Sequence, residues 1–416
     1  MSQDLLSLFN LFCIVVLPYA IWHLGRLKSA IPCAVVQILL GIILGPSCLG
    51  FVLPELQEHL LPTPIRDQIA HLSSFSIFFF ALITGLHLDL GHYRGAHSGL
   101  ALIGVCSVLV PFCFGTAAAL WICEVHPLAA QGGGGQVRFV LCTAVALSVT
   151  ALPVLGAILR ELDLIRLPVG QWSLGLAAIN DAVLWLLVSG ALAGTGGRDG
   201  ASNSPLVILL FGALYLVTMF CGARPLLRRL FRDRDDETSR NGILVGVVAF
   251  ALASAGATEF LGLHYLLGAF VAGAILPDHV RAAVLDRIEH VTVLLLTPFF
   301  FISVGLKVSL DFSAPGFGDI FVVTTVAAIA GKFAGTTLPA RRIGMSWRDS
   351  LALGAVMQAK GMMELAVLSI FLAAGLISNA MFSVLIAMAL VTTALAMPLT
   401  RMLLVKGYGK SIPEDA

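Results

Sequence analysis

Long apolar runs, separated by short polar connections, account for almost the whole chain. A helix that crosses the hydrocarbon core of a bilayer needs about 20 apolar residues, and these runs have that length. The pattern predicts about thirteen membrane-spanning helices, over residues 7–24, 31–50, 69–88, 98–122, 137–159, 170–192, 205–222, 242–258, 261–277, 291–306, 320–338, 350–373 and 379–400. The eighth and ninth runs lie so close together that their fusion would give twelve spans.

Positive charges fall mainly on alternate connections. With thirteen spans, most arginines and lysines follow the odd-numbered spans, and few follow the even-numbered ones. Cytoplasmic connections carry the excess of these residues in membrane proteins. We therefore expect a multi-pass protein of the cell membrane (inner or plasma membrane), with its N-terminus outside and its C-terminus in the cytoplasm.

The composition supports an all-α polytopic membrane protein that lies in a lipid bilayer. Of the 416 residues, 58% are hydrophobic and 12% are charged, whereas about 25% of the residues in soluble domains are charged. The net charge of +1 gives no reason to expect nucleic acid as a partner. The chain has no HExxH, GxSxG or phosphate-binding GxxxxGK[ST] motif. It therefore predicts neither an enzyme nor a bound cofactor.

Two segments of the chain resemble each other. Residues 78–90, "FFFALITGLHLDL", end the third span, and residues 299–310, "FFFISVGLKVSL", end the tenth. Copies that lie seven spans apart have opposite orientations in the membrane. This pattern predicts inverted repeats of six helices, an architecture whose substrate sites lie near the midplane on interrupted helices. Spans five and twelve are the corresponding pair.

Span five contains "ALSVTALPVLG". Pro153 has no N–H to donate to the carbonyl of Val149, so the helix is expected to break there. Ser148 and Thr150 could supply hydroxyls where the backbone bonds open.

Span twelve contains "GAVMQAKGMMELAVL", with Gly361 as the expected break point. Lys360 and Glu364 are four residues apart and could pair on one helix face. They would form an internal ion pair that neutralises the ends of the broken helix, or they would contact the transported ion directly.

Span six contains "LAAINDAVLWLL", which places Asn180 and Asp181 near the middle of the bilayer. A charge at that depth costs about 2.5–3.5 kcal/mol on insertion scales, so it usually has a function. A carboxylate that alternately holds a monovalent cation and a proton would meet the basic requirement for exchange. Lys332 in span eleven could pair with Asp181 when no cation is bound, or could neutralise the end of a broken helix.

These stretches resemble the monovalent cation:proton antiporter family, in particular its second branch, which includes Kef-type systems and plant cation/proton exchangers. The similar stretches are "ALSVTALPVLGAILREL", "LAAINDAVLWLL", "LHYLLGAFVAGAILP", "PFFFISVGLKVSL", "AGKFAG" and "MQAKGMMELAVL", in the family's order. The resemblance implies an NhaA/NapA-like fold in which two discontinuous helices cross.

The resemblance also implies a division of the chain. Core helices over 98–193 and 312–404 would move against scaffold helices over 1–97 and 241–311, which form a homodimer. A linker helix and cytoplasmic loop would occupy 194–240, and a short cytoplasmic tail 405–416. Because the tail is short, we expect no nucleotide-binding regulatory domain of the Kef type.

Individual residues match positions of the family's motifs. Asp181 corresponds to its ion-binding aspartate, and Asn180 occupies the position before it. Ser148 and Thr150 correspond to its crossover residues, and Lys332 to its buried core cation.

The resemblance implies exchange of Na⁺ or K⁺ for H⁺ by an elevator-type movement. Asn180 suggests electroneutral exchange, whereas lysine at position 332 is similar to the electrogenic group. A gated K⁺ efflux pathway and a cation-coupled symporter of an organic anion are the alternative functions.

Overall fold

The computed structural model describes residues 3–25, 33–87, 97–130, 135–150, 152–164, 167–192, 205–231, 237–261, 263–308 and 316–408. Within these ranges the chain is helical and contains no β-strand. Several sequence predictions fall partly outside them: the ends of both repeated segments (88–90 and 309–310), part of the central cytoplasmic loop (232–236) and the end of the tail (409–416).

The helices of the first half follow the apolar runs. They are α1 (Gln3–Leu24), α2 (Cys33–Leu44), α3 (Leu49–Val52), α4 (Pro54–Leu60), α5 (Thr63–His87), α6 (His97–Val125), α7 (Gly135–Ser148), α8 (Leu152–Glu161), α9 (Pro168–Leu192), α10 (Pro205–Val217) and α11 (Arg224–Leu230). A π-helical segment, Thr218–Ala223, joins α10 to α11.

The second half continues in the same way. Its helices are α12 (Glu237–Phe260), α13 (Tyr265–Ala274), α14 (Asp278–Val291), α15 (Thr297–Lys307), α16 (Phe317–Arg342), α17 (Trp347–Val356), α18 (Met362–Ala373) and α19 (Asn379–Tyr408). A second π-helical segment, Thr292–Leu296, joins α14 to α15.

The eighth and ninth apolar runs form separate helices. Helix α12 ends at Phe260, and α13 begins at Tyr265. The side chain of His264 accepts a hydrogen bond from the backbone N–H of Leu266 and so caps the start of α13. Eight helical stretches among the described residues are long and apolar enough to cross a membrane. The total of thirteen spans stays a prediction.

The contacts divide the chain into two compact units. The first comprises residues 1–62, 93–184 and 304–416, and the second comprises 63–92 and 185–303. All the predicted site residues belong to the first unit. This grouping by contacts differs from the predicted division into core and scaffold, which concerns movement and stays a prediction.

Helices α6 and α16 pack closely in the first unit, and small residues allow their approach. A side chain at Gly331 would collide with Pro111, and one at Gly335 would collide with the carbonyl oxygen of Cys106. Lys332 lies between these two glycines in the sequence. The close packing therefore brings its long side chain directly against the backbone of α6.

Candidate functional site

Asn180 and Asp181 lie in the middle of α9 and are almost completely enclosed by protein. Their exposed fractions are 2% and 0%. Leu176, Ala177 and Leu184 on the same helix are also buried. Ionisation of a carboxyl group in such surroundings is energetically unfavourable unless a cation or hydrogen-bond donors lie nearby. Asp181 is thus placed where a bound cation would make a large energetic difference.

The first interrupted helix is formed by α7 and α8. Helix α7 ends at Ser148 and α8 begins at Leu152, immediately before Pro153. Proline cannot donate to the carbonyl four residues earlier, and it disfavours helical geometry at the residue before it. The interruption leaves the last carbonyls of α7 without helical donors.

The second interrupted helix is formed by α17 and α18. Helix α17 ends at Val356, and Gly361 directly precedes α18, which begins at Met362. The two interruptions meet, because the hydroxyl of Thr150 donates a 2.9 Å hydrogen bond to the carbonyl of Met357. This bond joins a side chain in the first interruption to the backbone of the second.

Two buried lysines satisfy the carbonyl end of α7. Lys332 Nζ donates to the carbonyl oxygen of Ser148 at 2.6 Å. Lys360 Nζ donates to those of Ala146 and Leu147 at 3.1 and 3.2 Å. The negative end of a helix dipole favours cations, so both ammonium groups are well placed there. Lys332 therefore lies at the end of a broken helix, and its pairing with Asp181 when no cation is bound stays a prediction.

Helix α6 holds the other side of Lys332. Its ammonium group also donates to the carbonyl oxygen of Ser107 at 2.9 Å. Pro111 lies four residues after Ser107 within α6. A proline at that position has no N–H for the Ser107 carbonyl, which is therefore free to accept from Lys332.

Lys360 also pairs with Glu364. The distance between Lys360 Nζ and Glu364 Oε1 is 3.3 Å, and both side chains are buried. The second oxygen, Glu364 Oε2, is buried and has no hydrogen-bond partner within the described part of the chain. The ion pair lies inside the protein, and contact of these residues with the transported ion stays the other alternative.

Helix α19 supports the second interruption with a threonine. The Thr393 side chain accepts a hydrogen bond from the backbone N–H of Lys360 at 3.1 Å and donates to its carbonyl oxygen. Gln358, in the same interruption, donates through Nε2 to the carbonyl of Ile329 on α16 at 3.1 Å. The Thr393 side chain thus replaces backbone bonds that the broken helix lacks, and Gln358 ties the interruption to α16.

Ser107 connects Asn180 to this network. Its hydroxyl lies 2.9 Å from Asn180 Oδ1, while its carbonyl accepts from Lys332. Asp181 directly follows Asn180 in α9 and is completely buried. The predicted residues of spans five, six, eleven and twelve therefore lie around one buried region of the first unit.

Two residues of this region, Ser107 and Thr393, did not emerge from the sequence. Both are hydroxyl residues in apolar spans that contain other serines and threonines. Pro111 was a usable signal, since a proline inside a span exposes the carbonyl four residues before it. No comparable signal distinguishes Thr393 from its neighbour Thr392.

The chain matches the family model described as "Sodium/hydrogen exchanger, transmembrane" over residues 12–406. It is 34% identical over 354 residues to Cation/H(+) antiporter 20 of Arabidopsis thaliana, a match that covers 82% of this chain and 41% of the relative. It is 29% identical to K(+)/H(+) antiporter 1 of Saccharomyces cerevisiae, over 89% of this chain and 43% of the relative. The chain thus spans less than half the length of these two relatives.

A relative of similar length is Na(+)/H(+) antiporter NhaS4 of Synechocystis. The two are 29% identical over 82% of this chain and 83% of the relative. Among solved structures, two of the sodium proton antiporter MjNhaP1 of Methanocaldococcus jannaschii share the fold. They have TM-scores of 0.66 and 0.69 at 14% identity, with at least 98% of both chains covered. The family match over nearly the entire length shows that the chain belongs to the sodium/hydrogen exchanger family of transmembrane proteins.

Proposed function

We propose that this protein is a secondary antiporter that exchanges a monovalent cation, Na⁺ or K⁺, for H⁺ at Asp181. The observation that carries the proposal is a completely buried carboxylate in the middle of α9, in the same unit as two interrupted helices that meet. The names of the relatives include both sodium and potassium antiporters. They support cation/proton exchange and leave the choice between the two ions to measurement.

The exchange follows from competition for one carboxylate. In a completely buried site, the negative charge of Asp181 must be compensated, either by a bound metal cation or by protonation of the carboxylate. Binding of the cation releases the proton, and binding of the proton releases the cation. Asn180 would add an uncharged oxygen ligand, and Ser148 and Thr150 would supply polar groups at the crossing.

The two lysines would act by holding the site together. Lys332 and Lys360 donate to consecutive carbonyls at the end of α7, and Lys360 also pairs with Glu364. These bonds fix the interruption and leave Asp181 as the exchanged group. With asparagine at position 180, a single carboxylate carries a single proton, so we propose electroneutral exchange.

We further propose that the site changes sides by an elevator-type movement within a homodimer. The core would be 98–193 and 312–404, and the scaffold 1–97 and 241–311. The linker helix and loop over 194–240 would join the halves. The distribution of positive charges supports an outside N-terminus and a cytoplasmic C-terminus.

Glycine contacts support the inverted repeat. In the second unit, Gly85 of α5 faces the backbone of α13 at Phe270 and Ala274, and Gly273 faces α5 at Leu82. In the first unit, Gly305 of α15 faces α2 at Ile38 and Gly41. Gly85 and Gly305 occupy the same position in the two repeated segments, "TGL" and "VGL". Equivalent glycines therefore make equivalent close helix contacts.

The test is proton movement in proteoliposomes that contain the purified protein. We expect addition of Na⁺ or K⁺ to dissipate an imposed proton gradient, and Asp181→Asn to abolish this response. Asp286→Asn, a matched change at an exposed position of α14, should leave it intact. Exchange that persists in Asp181→Asn would refute the proposed site.

Further measurements on the same proteoliposomes test the stoichiometry and distinguish antiport from the alternative functions. An imposed membrane potential should not change the rate if the exchange is electroneutral, and should change it if more than one proton moves per cation. Cation flux that is insensitive to an opposing proton gradient would indicate a gated pathway instead. Accumulation of an organic anion would indicate a symporter.

A further inference from the structure

The hydroxyl of Ser107 has one proton but lies within hydrogen-bonding distance of two acceptor oxygens. It is completely buried in α6, and it lies 2.8 Å from the carbonyl oxygen of Gly104 and 2.9 Å from Asn180 Oδ1. A serine hydroxyl carries one proton and can also accept hydrogen bonds. If both neighbours are acceptors, only one receives a full hydrogen bond.

The same carboxamide has a donor without a partner. Asn180 Nδ2 is buried and makes no hydrogen bond within the described residues. A buried amide N–H without an acceptor has lost its hydrogen bonds to water and has gained none in return, so this orientation is unfavourable. Rotation of the carboxamide by half a turn about χ2 exchanges its oxygen and nitrogen. Asn180 Nδ2 then donates to Ser107 Oγ, Ser107 donates to Gly104, and both groups are satisfied.

This orientation frees Asn180 Oδ1 on the side away from Ser107. Asn180 and Asp181 are consecutive residues of α9, and both are buried. Small hard cations bind oxygen ligands, whereas an amide nitrogen carries no available lone pair for them. The direction of the carboxamide thus decides whether Asn180 can assist Asp181.

We propose that Ser107 is a positioning residue for the transported cation. It accepts from Asn180 Nδ2 and so presents Asn180 Oδ1 as a second ligand beside the Asp181 carboxylate. The inference rests on the proposed function, since it assigns the orientation of a ligand in that site.

Helix α6 is suited to this task because it is fixed from several sides. The Ser107 carbonyl accepts from Lys332, and Gly104 lies close to Ile179 of α9. Gly335 of α16 lies against the backbone of α6 at Cys106. The Ser107 hydroxyl is therefore held at a defined place relative to α9.

The experiment compares Ser107→Ala, Ser107→Thr and Ser173→Ala. Ser173 is the matched control, because it is a completely buried serine of α9 whose hydroxyl donates only along its own helix, to Val169 at 2.7 Å. We expect Ser107→Ala to raise the half-saturating cation concentration for exchange about tenfold, with a smaller effect on the maximal rate. Ser107→Thr keeps a hydroxyl and should restore most of the affinity, and Ser173→Ala should change neither value.

Cation binding provides a readout that does not need transport. The probe is the rise in unfolding temperature of the detergent-solubilised protein on titration with NaCl or KCl, against choline chloride. In an Asn180→Ala background, Ser107→Ala should have no further effect on the cation concentration needed, since Ser107 acts through Asn180. An undiminished effect in that background would overturn the proposal.

The outcomes separate this inference from the proposed function. If the unaltered protein exchanges cations for protons while Ser107→Ala keeps its cation affinity, the proposed role of Ser107 is refuted and the proposed antiporter function is supported. If the unaltered protein shows neither cation-dependent proton movement nor cation-induced stabilisation, the proposed function fails, and this inference fails with it.

Discussion

The Thr393 side chain pairs with both backbone groups of Lys360, accepting from its N–H and donating to its carbonyl oxygen. The two residues are 33 positions apart and lie on different elements. Lys360 is in the interruption between α17, which ends at Val356, and α18, which begins at Met362. One hydroxyl of α19 therefore takes the place of two bonds that a continuous helix would have made.

We expect Thr393→Val to destabilise the protein and to slow exchange. Valine has nearly the same shape but leaves the N–H and the carbonyl of Lys360 buried and unpaired, at about 1–3 kcal/mol for each group. Thermal unfolding in detergent and exchange in proteoliposomes would measure the two effects. Thr392→Val is the control, because within the described residues the Thr392 hydroxyl bonds only inside α19, to Met388 and Ala389. Equal effects of the two changes would show that Thr393 has no special role.

Lys360 and Glu364 should show strong coupling in a double-mutant cycle. Lys360→Met leaves a buried carboxylate without its cation and removes two donors from the end of α7, and breaking such a buried pair typically costs about 3–5 kcal/mol. Addition of Glu364→Gln removes the isolated charge. We therefore expect the double variant to unfold at a higher temperature than Lys360→Met alone. Additive losses would contradict an internal ion pair.

The glycines of the two repeated segments should be sensitive to substitution. In Gly85→Ala the new methyl group would strike the backbone of α13, and in Gly305→Ala that of α2. Overpacking of this kind costs about 1–3 kcal/mol, so both variants should unfold at lower temperature. Gly246→Ala on α12, where nothing lies within 4 Å of the added carbon, should be neutral or should stabilise by up to about 1 kcal/mol. Tolerance at Gly85 and Gly305 would argue against equivalent close contacts.

The apparent cation affinity should depend on pH with a sign set by competition. Protons occupy Asp181 as the pH falls, so more cation is needed to displace them. In the acidic range, each decrease of one pH unit should raise the half-saturating cation concentration about tenfold if one proton competes, and about a hundredfold if two do. Initial rates of exchange measured at several pH values would give this slope. A half-saturating concentration that does not change with pH would exclude competition for one carboxylate.

Much of the candidate site followed from sequence because charge and proline are rare inside apolar spans. Asp181, Lys332, Lys360 and Glu364 stand out for that reason, since each must be compensated in a bilayer. Pro153 gave a physical reason for a helix to break, and the structure places an interruption directly before it. The repeated segments drew attention to span twelve as its partner.

The sequence by itself determined that this is a helical membrane protein with a few buried charges, because hydrophobic length and the cost of burying charge act locally. Only the tertiary structure decided which partners satisfy those charges. The ammonium groups of Lys332 and Lys360 donate to backbone carbonyls of α6 and α7, and every residue type carries such a carbonyl. Ser107 and Thr393 were hidden for the same reason: the importance of a hydroxyl depends on the unpaired group that the fold brings opposite it.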